Sequence, residues 1–111
     1  MNKLNLSQEE LLKSLDNFVV KQDVLMHNGI EYFLSTVELF CDHSFGIGEP
    51  QLFETMIFNH THGGLDFQLR YPTREKAINT HLAILNRLVV SKQDIYDILH
   101  DIGDEYYNGK L

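Results

Sequence analysis

The spacing of apolar positions changes period twice along the chain. Leu11, Leu12, Leu15, Phe18 and Val19 recur at helical spacing, the mark of a helix with one buried face. Ser7 and Glu10 stand where a capping box needs them: the hydroxyl accepts an early helix N–H and the carboxylate reaches back. Leu6 and Leu11 suit the accompanying hydrophobic staple. The pattern predicts a first helix that starts at Ser7 and fades near Val20. Asn28-Gly29 then breaks the chain, and both residues accept the positive φ of a type I′ hairpin turn. The predicted arms are about Asp23–His27 and Ile30–Phe40. The second arm carries Tyr32, Phe33, Thr36 and Val37, aromatic or β-branched residues that suit a pleated surface.

Cys41 to Pro50 reads as a loop, with Gly46 and Gly48 inside it. Alternation returns in Gln51–Phe58, where Leu52, Glu54, Met56 and Phe58 share one face and Phe53, Thr55 and Ile57 the other. Asn59–Gly64 is polar and leads to a fourth strand at about Leu65–Tyr71. The helical period resumes after Thr73 and runs to about Val90. Its predicted apolar face is Ile78, Leu82, Leu85 and Val89, flanked by Ala77, Ala83 and Leu88. Ser91 reads as the cap of a last helix, with Asp94 three residues on. The stripe of that helix is Ile95, Ile98, Leu99, Ile102 and Tyr106. The order α-β-β-β-β-α-α predicts a single α+β domain over residues 1–111. It is a small antiparallel sheet of about four strands, with one N-terminal and two C-terminal helices covering one face.

Composition narrows the function. The chain has 111 residues, 43% hydrophobic and 23% charged, which excludes a disordered tail, a collagen-like repeat and a coiled-coil rod. Nine Lys and Arg against 16 Asp and Glu leave a net charge of −7. Binding nucleic acid directly takes many cations to neutralise phosphates, so the balance points instead to a protein partner with a basic surface. Cys41 is the single cysteine, so no disulfide forms within the chain. No apolar run approaches the ~18 residues of a membrane span, and Met1–Leu6 does not read as a signal peptide. The expectation is a cytoplasmic protein with no membrane partner. The sequence leaves the oligomeric state open, a homodimer included.

Part of the chain resembles a known family. The carrying residues are Asp42-His43, Phe45-Gly46-Ile47-Gly48, Phe53-Glu54-Thr55-Met56, Arg70-Tyr71-Pro72-Thr73 and His81. As a set, over Ser35 to Leu85, they resemble a family of short bacteriophage, prophage and bacterial proteins. The family places a small residue and Gly ahead of the last histidine, whereas Asn79-Thr80 stand there in this chain. The resemblance implies a phage or mobile-element setting inside a host cell rather than a particular reaction. Small acidic phage proteins often act against host systems, restriction and CRISPR-Cas defences among them.

Several groups of residues bear chemistry. Asp42, His43, Glu54 and His81 supply two carboxylates and two imidazoles, a set that can share acid–base work or hold a divalent metal. Glu54 interrupts an apolar strand face and needs a partner there, since an unpaired buried charge is costly. His81 and Arg70 are the two candidates. The structural alternative, a hydrogen-bonded network that holds the Asp42–Pro50 loop, weighs more, because the spacing matches no strong metal signature. His60-Thr61-His62 offers alternate imidazoles for one metal, but Gly63-Gly64 after it favours a loop tip. Cys41 beside His43 lacks the orienting third group that a thiol nucleophile needs. Gly46-x-Gly48 precedes a strand rather than a helix and is no phosphate loop.

Asp94, Asp97, Asp101 and Asp104 recur at helical spacing opposite the isoleucines, with Glu105 adjacent. Such a row can imitate phosphates or dock on a basic groove. The leading expectation is therefore a non-enzymatic phage or prophage protein with no metal and no cofactor. It would bind and inhibit a host protein through Asp94, Asp97, Asp101, Asp104 and Glu105. Two alternatives stand beside it: a small metal-dependent or acid–base enzyme built on Asp42, His43, Glu54 and His81, and a binder of a signal nucleotide.

Overall fold

A computed structural model describes residues 18–39, 48–61 and 63–111. The expected first helix lies largely outside these residues, as do Asp42 and His43. The described chain forms four strands, β1 (Val19–His27), β2 (Ile30–Glu38), β3 (Phe53–Asn59) and β4 (Gly63–Tyr71). Two helices follow, α1 (Arg74–Val90) and α2 (Ile95–Tyr107). The strands make one antiparallel sheet in the order β1-β2-β3-β4. The α+β class and the antiparallel sheet of four strands are as the alternation predicts. At the first turn Asn28 has φ 50° and Gly29 φ 82°, the left-handed pair that the Asn-Gly reading requires.

Val19 and Val20 belong to β1, not to the tail of a helix. Val19 pairs with Val37, and the Glu38 N–H donates to the Phe18 carbonyl over 2.6 Å. Ladder partners override the helical spacing of Phe18 and Val19, since β-branched residues gain more from cross-strand packing.

One face of the sheet carries Leu25, Leu34, Ile57, Leu65, Leu69 and Tyr71, all buried. The helices cover this face. Helix α1 is capped by Thr73, whose hydroxyl accepts from the Lys76 N–H over 3.2 Å. It buries Ala77, Thr80, His81, Ile84 and Leu88. This corrects the expected face, because Leu82 and Val89 are 46% and 61% exposed. The helix is turned so that His81 meets polar groups on the sheet, and the core follows it.

Helix α2 begins one turn later than the Ser91 reading expects. Ser91 ends α1, its N–H donating to the Arg87 carbonyl over 2.9 Å. Asp94 caps α2, its carboxylate accepting from the Tyr96 N–H over 2.9 Å. Ile95, Ile98, Leu99 and Ile102 are buried as the stripe predicts, each stabilising by about 1.5–3 kcal/mol relative to exposure. Asp94→Ala should cost about 1 kcal/mol, the usual loss of an N-cap, read as a lower urea midpoint with unchanged slope.

The link between the helices is held by the hairpin turn. The buried His27 ring places Nδ1 2.8 Å from the Leu88 carbonyl and Nε2 2.7 Å from the Gln93 carbonyl. The Asn28 amide donates to the Lys92 carbonyl over 3.0 Å. A residue of the turn and its neighbour thus fix where α2 starts.

Candidate functional site

Two residues of the expected acid–base cluster lie among the described residues, and the sheet separates them. Glu54 is on β3 between the buried Phe53 and Thr55, so strand alternation sends it to the face away from the helices. There its carboxylate accepts from Arg70 Nε over 2.9 Å and from the Gln68 amide over 2.6 Å. The carboxylate finds the arginine, not the histidine. His81 is on α1, on the opposite side of the sheet, with no exposed surface. The Asp42/His43/Glu54/His81 set is therefore not one site: strand parity divides Glu54 from His81.

The actual neighbours of His81 form a directional chain. Its Nε2 lies 2.7 Å from an Asp23 carboxylate oxygen, and its Nδ1 lies 2.7 Å from the Thr36 hydroxyl. Thr36 and Thr55 hydroxyls are 2.5 Å apart, and the Tyr71 hydroxyl donates to Thr55 over 2.9 Å. One assignment satisfies every member. Tyr71 donates to Thr55, Thr55 to Thr36, Thr36 to Nδ1 of a neutral imidazole, and Nε2–H to Asp23. Burial lowers the His81 pKa below its ordinary value, and the hydrogen bond it donates to Asp23 only partly opposes this, which favours that neutral ring. At Asp23, desolvation raises the carboxyl, but hydrogen bonds from His81 and Lys21 outweigh it and leave the net shift downward. Burial also raises Tyr71, with Thr55 pulling the other way, so its hydroxyl stays protonated.

Asp23, His81 and Thr36 superficially repeat an acid–base–nucleophile array. A nucleophile must reach its substrate, whereas Thr36 has no exposed surface. The chain is a polar core element that fastens α1 to all four strands. Sequence reasoning missed Asp23 and Thr36 as its members. The available signal was a polar residue at alternate positions in both arms of the hairpin, which strand parity places on the core side.

The acidic residues of the last helix behave differently from one another. Asp94, Asp97, Asp101 and Asp104 are all exposed. Asp94 is committed to its capping bond. Glu105 forms a two-pronged pair with Arg87, one bond measuring 2.9 Å; the Arg87 hydrogen bond holds its carboxyl below the usual range. His100 Nδ1 lies 3.5 Å from Asp104 across one helical turn. Asp97 and Asp101 make no ion pair among the described residues.

His60 is exposed and sits 2.6 Å from Glu31, while His62 is outside the described residues. Among the described residues no group of three metal-ligating side chains comes together, and no helix is long and apolar enough to cross a membrane. The described residues form hollows at the surface. One, of about 320 Å³, lies beside Phe33 and Phe58 on the sheet face away from the two helices. A second, of about 620 Å³, lies between Arg70, Lys76 and Tyr106. A third, of about 460 Å³, runs between β4 and α2.

Comparison of the chain with protein-family models, curated proteins and solved structures finds no match. The functional reading therefore rests on the geometry of the molecule and on the sequence resemblance alone.

Proposed function

We propose that this protein is a small acidic inhibitor that docks α2 against a basic surface of a host protein. The observation that supports this most is the division of α2 into two faces. Ile95, Ile98, Leu99 and Ile102 are buried while Asp97, Asp101 and Asp104 face solvent. Like charges at these spacings repel by ~0.2–0.5 kcal/mol per pair. A helix face shaped for stability alone would interleave lysine with them. Lys92 and Lys110 flank α2 but none lies within it, and Arg87 is spent on Glu105. The repulsion is relieved when a cationic partner arrives, so the row favours association.

The resemblance over residues 35–85 extends the proposal to a host defence complex that handles nucleic acid, CRISPR-Cas effectors among them. Such complexes present cationic grooves to phosphates, and a regular carboxylate row offers the same charge pattern.

The test is a pull-down from host lysate at low and high salt with the variant Asp97→Asn/Asp101→Asn/Asp104→Asn. The variant should fold as well as the wild type or slightly better. Its capture of the partner should weaken and lose most of its salt dependence, because such attraction is screened over ~8–10 Å at physiological ionic strength. Equal capture by both proteins would remove the acidic row from the mechanism.

A further inference from the structure

We propose that the groove between α2 and the outer edge of β4 takes an extended basic peptide segment of the partner, added to the sheet as a further strand. The inference deepens the reading of α2 as a docking helix and rests on it. Four observations carry it.

The first is the edge itself. β4 is the last strand of the order and nine residues long, and among the described residues no strand pairs with its outer side. An edge strand exposes a row of backbone donors and acceptors ready for another chain, and proteins usually blunt it with lysine, proline or a bulge. The other edge, β1, carries Lys21 and a bulge between Val19 and Lys21. β4 also carries a register shift against its neighbour, between Gly64 and Gln68, but contains neither Lys nor Pro.

The second is the groove beside that edge. Phe67, Leu69 and Leu99 line it with apolar surface, and Tyr96 and Tyr107 stand over it, 52% and 75% exposed. Helix α2 has 13 residues, about 20 Å of length at 1.5 Å per residue. That span faces about six residues of an added strand at ~3.3 Å each. A strand laid in a groove between sheet edge and helix gains main-chain hydrogen bonds along its length and pockets for alternate side chains.

The third is Gly103. It lines the groove from within α2, where glycine weakens a helix. Among the described residues a Cβ built there meets nothing within 4 Å. Packing among the described residues therefore does not call for glycine at this position. The missing side chain widens the groove.

The fourth is charge. Asp66 and Asp104 line the groove, both exposed, and among the described residues no Lys or Arg lines it. A segment that alternates cationic and apolar residues matches both the acidic rim and the apolar floor. A second copy of this chain does not match: two chains of net charge −7 would set Asp66 and Asp104 against one another.

The probe is a labelled nine-residue peptide of alternating Lys and Val, with an alternating Glu and Val peptide as control. Binding is read by fluorescence anisotropy at two salt concentrations, and β4 amides by hydrogen exchange. The lysine peptide should bind saturably and less tightly in high salt, and should slow exchange along Leu65–Arg70. The variant Gly103→Leu should keep or raise the melting temperature while losing affinity by about tenfold or more. If Gly103→Leu does not fold, Gly103→Ala and Tyr96→Ser give the same reading at smaller amplitude. No saturable binding, equal binding of the glutamate peptide, or undiminished binding by a folded groove variant would overturn the proposal. So would a concentration-dependent dimer that Gly103→Leu dissociates, since the edge would then join two copies. Asp97→Asn/Asp101→Asn, which lies outside the groove, separates the two readings. If it abolishes capture of the host protein while Gly103→Leu does not, the docking helix stands and the groove falls. If only Gly103→Leu abolishes capture, the acidic row falls.

Discussion

Replacing His81 with alanine is expected to destabilise the fold by about 3 kcal/mol, lowering the melting temperature by roughly 10–15 °C. The side chain has no exposed surface and bonds Asp23 and Thr36, each over 2.7 Å. Its removal strands a buried hydroxyl, at about 1–3 kcal/mol, and leaves a cavity between α1 and the sheet that adds to the cost. Thermal unfolding by circular dichroism measures the change directly. A variant that melts with the wild type would show that the chain from Tyr71 to Asp23 holds nothing together.

The same residue makes stability depend on pH, and the sign follows from burial. The folded-state pKa of His81 lies below its ordinary 6.5. Above that value the ring is neutral in both states and its contribution is complete. As pH falls through 6.5 the unfolded chain takes up a proton that the folded chain refuses, so stability declines until the folded pKa is passed. Asp23, lowered below its ordinary 3.8, contributes above that pH and is lost only in stronger acid. The wild type should therefore lose urea stability between about pH 7 and pH 5 more steeply than His81→Ala. Parallel profiles would mean that the buried imidazole takes up its proton as readily folded as unfolded.

Thr55→Val is expected to cost about 2–3 kcal/mol, although the side chains nearly match in volume. The difference is one hydroxyl in the middle of the chain. Thr36 then loses its donor over 2.5 Å, and Tyr71 loses its acceptor over 2.9 Å. Both groups are fully buried, so neither recovers a bond from water, and each unmade bond carries its desolvation penalty. A double-mutant cycle identifies the mechanism. Tyr71→Phe alone should cost about 1–2 kcal/mol, but less in the Thr55→Val background, where the hydroxyl has lost Thr55 and keeps only the Thr80 hydroxyl beside it. Additive costs would place the two residues in separate interactions.

Elements with local signals were legible in the amino-acid order alone. Asn28-Gly29 specified the turn because few other pairs accept positive φ twice. Alternation from Phe53 to Phe58 sorted Glu54 from Thr55, and Arg70 was already one of the two partners weighed for Glu54. The isoleucine stripe placed the acids of α2 on its outer side. Features that depend on residues far apart in the chain took shape only on folding. Val19 joined β1 because Val37 was there to pair with it. Helix α1 turned Leu82 outward because Thr36 and Asp23, contributed by a hairpin some 50 residues earlier, offer His81 its bonds. Asp94, not Ser91, begins α2 because His27 and Asn28 hold the link between the helices. A hydrophobic period reports only which face prefers to be dry. Where a buried polar group must find its partner, the unmade hydrogen bond costs more than one leucine left in water, and that partner is known only once the chain has folded.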